Sequence, residues 1–141
     1  MKIRLVSNKD IPQLIRIVKG VKSIEDYPGE YDKNLFSKMI KDKNTIILVG
    51  EIDKKIVGFN EFRIDKSSKR VYGESLAVAK KFQNKGIGKK LFNEMEKYAK
   101  KNKIKRISML VRDWNKSMNK LAKKNNYKIS DKFYFFEKEL K

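Results

Sequence analysis

Between Thr45 and Val78 three strand-like segments follow one another with almost nothing between them, and that spacing decides most of what the chain can fold into. Thr45 to Glu51 and Lys55 to Ile64 flank Asp53-Lys54 as a hairpin; Asp65 to Lys69 makes the next turn, and Arg70 to Val78 follows. Turns this short cannot carry a crossover, so the three strands must run antiparallel. Past a basic loop, Ile87, Leu91, Phe92, Met95, Tyr98 and Ala99 recur at 3.6-residue spacing and predict a helix with one apolar face. Upstream, Lys2 to Val6 reads as a short strand. Ser7-Asn8-Lys9-Asp10 offers N-caps for a helix carrying Ile11, Leu14, Ile15 and Val18, and Leu35, Phe36, Met39 and Ile40 mark a second helix. Downstream, Ile104 to Val111 is a strand and Asn115 to Lys124 a helix carrying Met118 and Leu121. Asn125-Asn126 is a left-handed helix stop, and Tyr127 to Leu140 returns as strand or hairpin. The order βααβββαβαβ predicts an α/β domain of α+β type, a mixed and mostly antiparallel sheet of about six to seven strands flanked by four helices.

Nothing interrupts this order, and at 141 residues the chain is expected to form a single domain over 1–141. Forty per cent of the residues are apolar, enough for a core without help from staples. There is no cysteine and no histidine, which excludes disulfides, thiolate zinc sites, cysteine nucleophiles and Ser-His triads, and no metal is expected. The longest aliphatic run, Ile46-Ile47-Leu48-Val49, is far too short to span a bilayer, so a soluble, cytoplasmic protein without membrane contact is expected; a homodimer is left open.

Thirty-six basic residues against 17 acidic ones give a net +19, a bias toward polyanions of any kind. The charge is unevenly laid out. Residues 23–32 carry four acids and no base, so the remainder sums to +23, whereas residues 80–106 hold eleven bases against Glu94 and Glu96. Inside that basic stretch, Gln83-Asn84-Lys85-Gly86-Ile87-Gly88-Lys89-Lys90 joins a strand ending near Val78 to the strongest helix. Two glycines let backbone approach a ligand, the free amides of a first helical turn point outward, and the helix dipole favours negative charge there. A phosphate site belongs at such a loop.

From these residues the chain resembles the GNAT superfamily of acyl-CoA-dependent N-acetyltransferases, and the resemblance covers nearly its whole length. The family signature Gln/Arg-x-x-Gly-x-Gly/Ala reads here Gln83-x-x-Gly86-x-Gly88, preceded by the strand Glu74-Ser75-Leu76-Ala77-Val78 and followed by a helix ending near Lys101. Val111-Arg112-Asp113-Trp114-Asn115 is similar to the family's fifth strand leading to its Asn, and Tyr127 stands where an aromatic closes the fourth helix. The resemblance implies that acetyl-CoA lies between the fourth and fifth strands. Its pyrophosphate would rest on Gln83, Asn84, Lys85, Gly86, Ile87, Gly88 and Lys89, its pantetheine arm would pair with the main chain of Leu76, Ala77 and Val78, and Asn115 would complete the site. Asn115 as a simple helix cap, and Leu76 and Val78 as core, are the plainer readings of those residues.

Acetyl transfer needs a neutral amine, and an alkylamine with a pKa near 10 is mostly protonated at neutral pH, so a carboxylate base is useful. By its place on the fourth strand Glu74 resembles the family's base, with Glu61 on the preceding strand the second candidate. Many relatives place a Tyr on the fourth helix as acid to the CoA thiolate; here Ala122 occupies that position and Asn126 replaces the usual Gly, which leaves water, Ser117 or another Tyr for that step. The resemblance puts the acceptor amine against the first two helices and their connection, where Glu25, Asp26 and Glu30 with Tyr27 and Tyr31 would select a cationic amine. The expected function is N-acetyl transfer to a small cationic amine or to a protein N-terminal or lysine amino group. A noncatalytic acyl-CoA-binding regulatory domain is the alternative, and an RNA- or ribosome-associated basic protein ranks last because no aromatic platform for RNA is evident.

Overall fold

The computed structural model describes residues 1–21 and 31–141. One compact unit spans Met1–Leu110 and a second spans Val111–Lys141. The first is built on a five-stranded sheet of order β1-β2-β3-β4-β5, with β1 at Lys2–Leu5, β2 at Thr45–Ile52, β3 at Lys55–Asp65, β4 at Arg70–Val78 and β5 at Arg106–Met109. β1 to β4 pair antiparallel in sequence order, as the short turns demand. In the hairpin turn Asp53 and Lys54 both take positive φ, 49° and 62°, the backbone pair that matches the twist of the flanking strands. β5 joins β4 in parallel, which requires a crossover, and the helix α3 at Ile87–Lys101, third after α1 at Ile11–Lys19 and α2 at Lys33–Lys41, supplies it.

Local chemistry starts each helix where it starts. Asp10 accepts the Ser7 backbone N–H at 2.8 Å, closing a short 3-10 turn over Asn8–Asp10 from which α1 continues, with Pro12 in its first turn where no amide is needed. Asp32 caps α2 by accepting the Leu35 N–H at 2.7 Å. One sheet face packs Ile47, Val49, Phe59 and Ala77 against Leu14, Ile17 and Val18 of α1 and Phe36 of α2. The opposite face receives α3: the Asn60 side-chain amide donates to the Leu91 carbonyl at 3.1 Å, and the Phe62 and Tyr98 rings meet edge-on at 5.4 Å. At Gly58 an added Cβ would stand 2.8 Å from the Ala77 carbonyl oxygen and 3.1 Å from Leu91, so this close approach requires glycine.

In the second unit α4 spans Lys116–Lys124 and ends as expected at a left-handed Asn126, φ 64°. The strand expected over Tyr127 to Leu140 is absent: no strand is found among the described residues beyond Met109, and the count is five, not six to seven. The reason is legible in Phe133-Tyr134-Phe135-Phe136, four aromatics without alternation, which specify no face and no register. Phe133 and Phe136 are 73% and 90% exposed accordingly. Among the described residues no helix is long and apolar enough to cross a membrane.

Candidate functional site

The sheet opens along β4. β5 pairs only with Arg70 to Gly73, so among the described residues the backbone from Glu74 to Val78 has a ladder on its β3 side alone. This stretch leads through a 3-10 turn, Lys80–Phe82, into the start of α3. The Gln83 side-chain amide donates to the Val78 carbonyl at 3.0 Å and ties the loop to the strand end. Asn84 and Gly86 are left-handed, φ 60° and 77°, and Gly86 is the N-cap of α3. The first bond back into the helix runs from Lys90 N–H to the Gly86 carbonyl at 3.1 Å, so the amides of Ile87, Gly88 and Lys89 are outside the helical ladder. Lys85 and Lys89 are exposed beside them, and a Cβ placed on Gly86 would meet nothing within 4 Å. Donors, dipole, formal charge and open space converge there, and that chemistry fits a diphosphate.

A second constellation lies on the face shared with α1 and α2. Between Glu61 and Phe62 the β3–β4 register slips: Glu61 stands opposite Ser75 and Phe62 opposite Gly73, which leaves Glu74 as the extra residue of a bulge. Glu61 is only 6% exposed. The Tyr31 hydroxyl donates to Glu61 Oε2 at 3.3 Å and lies 2.6 Å from Ser75 Oγ. Burial pushes the Glu61 carboxyl up from 4.5 to about 7; the charge of Glu74 adds to this, while hydrogen bonds from Tyr31 and Ser75 counter it. The Glu74 side chain is 37% exposed and faces Arg63 at 3.5 Å.

A family model described as the acetyltransferase (GNAT) family matches residues 12–127. The chain belongs to the GNAT family. Among solved structures this GNAT chain is similar to the PaiA N-acetyltransferase from Thermoplasma acidophilum in complex with coenzyme A, at 23% identity, 94% of each chain and a TM-score of 0.81. It is also similar to an aminoglycoside acetyltransferase from an uncultured soil metagenomic sample, at 22% identity, 99% of this chain and 96% of that one, TM-score 0.80. A ribosomal-protein-alanine N-acetyltransferase from Brucella melitensis biovar Abortus 2308 matches at 16% identity, 97% of this chain and 99% of that one, TM-score 0.78. At these identities the likenesses show the GNAT fold. No curated protein matches the sequence.

In this GNAT domain the residues expected along the cofactor, Leu76 to Val78 and Gln83 to Lys89, lie on one continuous path from the free edge of β4 to the start of α3. Asn115 belongs to the second unit, where its side chain accepts the Met118 N–H at 3.2 Å and caps α4. Of the expected acceptor wall, Glu25, Asp26, Tyr27 and Glu30 lie outside the described residues. Tyr31 is described, and its hydroxyl is engaged with Glu61 and Ser75. Sequence reasoning missed Ser75, Arg63 and the hydroxyl role of Tyr31, because the bulge that brings them together leaves no local signature. Among the described residues no group of three acidic side chains could hold a metal.

Proposed function

We propose that this chain is a single acetyltransferase domain over 1–141 that transfers an acetyl group from acetyl-CoA to a primary amine. The observation that carries the reading is the continuity of the free β4 edge with the amides of Ile87, Gly88 and Lys89 beyond left-handed Gly86, a path with a strand-pairing half and an anion-holding half. Leu76, Ala77 and Val78 would hold the pantetheine arm through main chain. Gln83, Asn84, Lys85 and the first turn of α3 would hold the pyrophosphate. The cofactor, when bound, supplies an activated acyl carbonyl and a thiolate leaving group. Main-chain donors near Leu76 and Val78 would stabilise the oxyanion. Glu74 and Glu61, side by side at the bulge, are the carboxylates available for the amine.

A cationic acceptor fits two carboxylates at the bulge and the acidic segment containing Glu25, Asp26 and Glu30 with Tyr27 and Tyr31. The presence of aminoglycoside acetyltransferases among proteins of the same fold supports that preference. Ala122 at the position where many relatives carry Tyr favours a second reading, a noncatalytic acyl-CoA-binding domain. The discriminating experiment measures free-thiol release from acetyl-CoA against polyamines, aminoglycosides, amino acids and peptides with free N-termini or lysines. Release with one acceptor class establishes the transferase. Binding of acetyl-CoA without release from any of them shifts weight to the second reading or to an acceptor protein outside the panel.

A further inference from the structure

Of the 36 basic residues only six are arginine, and three of those six share one face of the sheet on three neighbouring strands. Arg63 on β3 stands opposite Tyr72 on β4, Arg70 precedes Tyr72 by two residues, and Arg106 on β5 is the register partner of Arg70. A Cβ on Gly73 would meet Met109 and, on α3, Met95, so Gly73 and Met109 face α3 while Tyr72, Arg70 and Arg106 alternate to the other side. Arg63 and Arg70 both lie against the Tyr72 ring, their guanidinium carbons 4.9 and 5.9 Å from its centre. A structural arginine in this chain looks different: Arg4 forks onto Asp10 at 2.8 and 2.9 Å and meets Glu51 at 2.7 Å. Half-exposed Arg63 has, among the described residues, a single acid, Glu74, at 3.5 Å. Arg70 has no ion pair among the described residues, and its Nε is buried without a hydrogen-bond partner there. Its register partner Asp65 is turned to its own turn, where Ser67 Oγ donates to it at 2.6 Å and the Ser67 and Ser68 amides at 3.0 and 3.3 Å. Two guanidiniums gathered on one ring repel each other, and an unpaired buried donor costs stability, so the fold alone does not account for the arrangement.

The arginine row adjoins the open part of the sheet. Glu74, the acid facing Arg63, is the bulge residue at which β5 stops pairing and the free edge of β4 begins. We propose that Arg63 and Arg70, flanked by Arg106, bind an anionic group, carboxylate or phosphate, on the same acceptor whose ammonium meets Glu74; this rests on the transferase reading and narrows its cationic acceptor to a zwitterion. Strand geometry sets the spacing. Tyr72, with Arg63 opposite it, lies two residues from Glu74, roughly 7 Å, and Arg70 lies four residues away, roughly 13 Å, at about 3.3 Å per residue. An ω-amino acid of the size of lysine or 6-aminohexanoate spans the shorter interval, whereas an α-amino group beside its own carboxylate does not. Arginine suits the task better than the lysine that dominates elsewhere, because its planar fork takes two oxygens of a carboxylate or phosphate while its face stays stacked on Tyr72. The 3.5 Å contact between Arg63 and Glu74 is longer than a charge-assisted hydrogen bond, so an arriving ammonium and anion replace one loose pair by two closer ones. The anion takes no part in the transfer; it fixes which amine of the acceptor faces the cofactor.

The test compares kcat/KM, by free-thiol release from acetyl-CoA, for 6-aminohexanoate, its uncharged amide 6-aminohexanamide and 5-aminopentyl phosphate, in wild type, Arg63→Gln, Arg70→Gln and Arg63→Lys. Acetyl-CoA affinity by calorimetry checks folding, and the Arg70 Nε–H resonance of ¹⁵N-labelled protein gives a readout independent of turnover. Wild type should prefer the anionic acceptors to the amide by about 10- to 100-fold, mainly through KM, and the better of the two names the anion. The preferred acceptor should shift the Arg70 Nε–H resonance and the amide should not. Arg63→Gln and Arg70→Gln should each shrink the preference severalfold with acetyl-CoA binding retained. Arg63→Lys, which keeps the charge and loses the fork, should keep only part of it. Should a Gln variant fail to fold, the wild-type preference and the resonance decide. Equal kcat/KM for the anionic acceptors and the amide, turnover confined to amines without an anion, or a preference that survives both Gln substitutions overturns the inference while the transferase stands. Wild type that releases no thiol with any amine overturns the transferase reading and the inference with it.

Discussion

Replacing Glu61 by Gln should make the protein less sensitive to alkali, and the size of the effect follows from burial. The carboxyl goes from 4.5 to about 7 on folding, chiefly because burial penalises its charged form. Below pH 4.5 the group is protonated in folded and unfolded chains alike and contributes nothing. As pH rises the unfolded chain ionises first, so the folded state loses stability until the folded group ionises too near pH 7, after which the loss is constant. At about 1.36 kcal/mol for each pH unit, the interval amounts to about 3 kcal/mol, lost between roughly pH 4.5 and 8. Gln has nearly the same shape and no charge, so it keeps the burial and removes the titration. Urea unfolding of both proteins at pH 4.5 and 8.5 isolates the term, because the other titrating groups cancel in the difference. Glu61→Gln is expected to gain about 3 kcal/mol relative to wild type between the two pH values. A difference between the proteins that does not change with pH would refute the reasoning, and with it the claim that this carboxylate resists ionisation.

Three other substitutions test the frame that carries the site. Gly86→Ala puts a side chain at φ 77° where nothing lies within 4 Å, so unfolding should show a backbone cost of only about 1 kcal/mol, while calorimetry shows a larger loss of acetyl-CoA affinity; unchanged affinity would separate this loop from the cofactor. Gly58→Ala drives a Cβ to 2.8 Å from the Ala77 carbonyl oxygen and should lower stability by about 2 kcal/mol in denaturant titration, since that oxygen is backbone and cannot rotate away. Asp10→Asn breaks a two-bond fork from Arg4, at 2.8 and 2.9 Å, and should cost about 1 to 3 kcal/mol. Those hydrogen bonds hold the Asp10 carboxyl below its ordinary 3.8, so its contribution is present above that pH and vanishes in acid, where variant and wild type should converge.

The features legible in the sequence were those that local chemistry alone decides. The apolar row from Ile87 to Ala99 became α3, Asp53-Lys54 became a left-handed turn, and Gln83 to Gly86 became a loop ending in a left-handed N-cap, each because a few neighbouring residues suffice. Tyr127 to Leu140 failed for want of a partner: apolar content there is high, but strand formation depends on a ladder elsewhere in the chain. The site divides the same way. The amide cradle was readable, whereas the contact of Tyr31 with Ser75, 44 residues apart, exists only because one extra residue at Glu74 shifts the register of two strands. A period-two reading puts Glu61 and Glu74 on equal terms; only the bulge buries one and exposes the other.

That division bears on how a chain without histidine could do proton chemistry near neutral pH. None of its ordinary side chains titrates there: carboxylates ionise too low, lysine and tyrosine too high. A near-neutral acid must therefore be made, by burying a carboxylate or by bringing like charges together, and Glu61 has both, with the sheet around it and Glu74 beside it. Burial alone would carry the group past usefulness into permanent protonation. The Tyr31 and Ser75 hydroxyls limit that rise by stabilising the ionised form, so the same two residues that fix the carboxylate in space also set where it titrates. Losing Tyr31 Oη should therefore raise the pH at which the Glu61 carboxyl ionises, a shift that ¹³C-carboxyl titration of Tyr31→Phe reads directly and that a residue needed only for the fold would not produce.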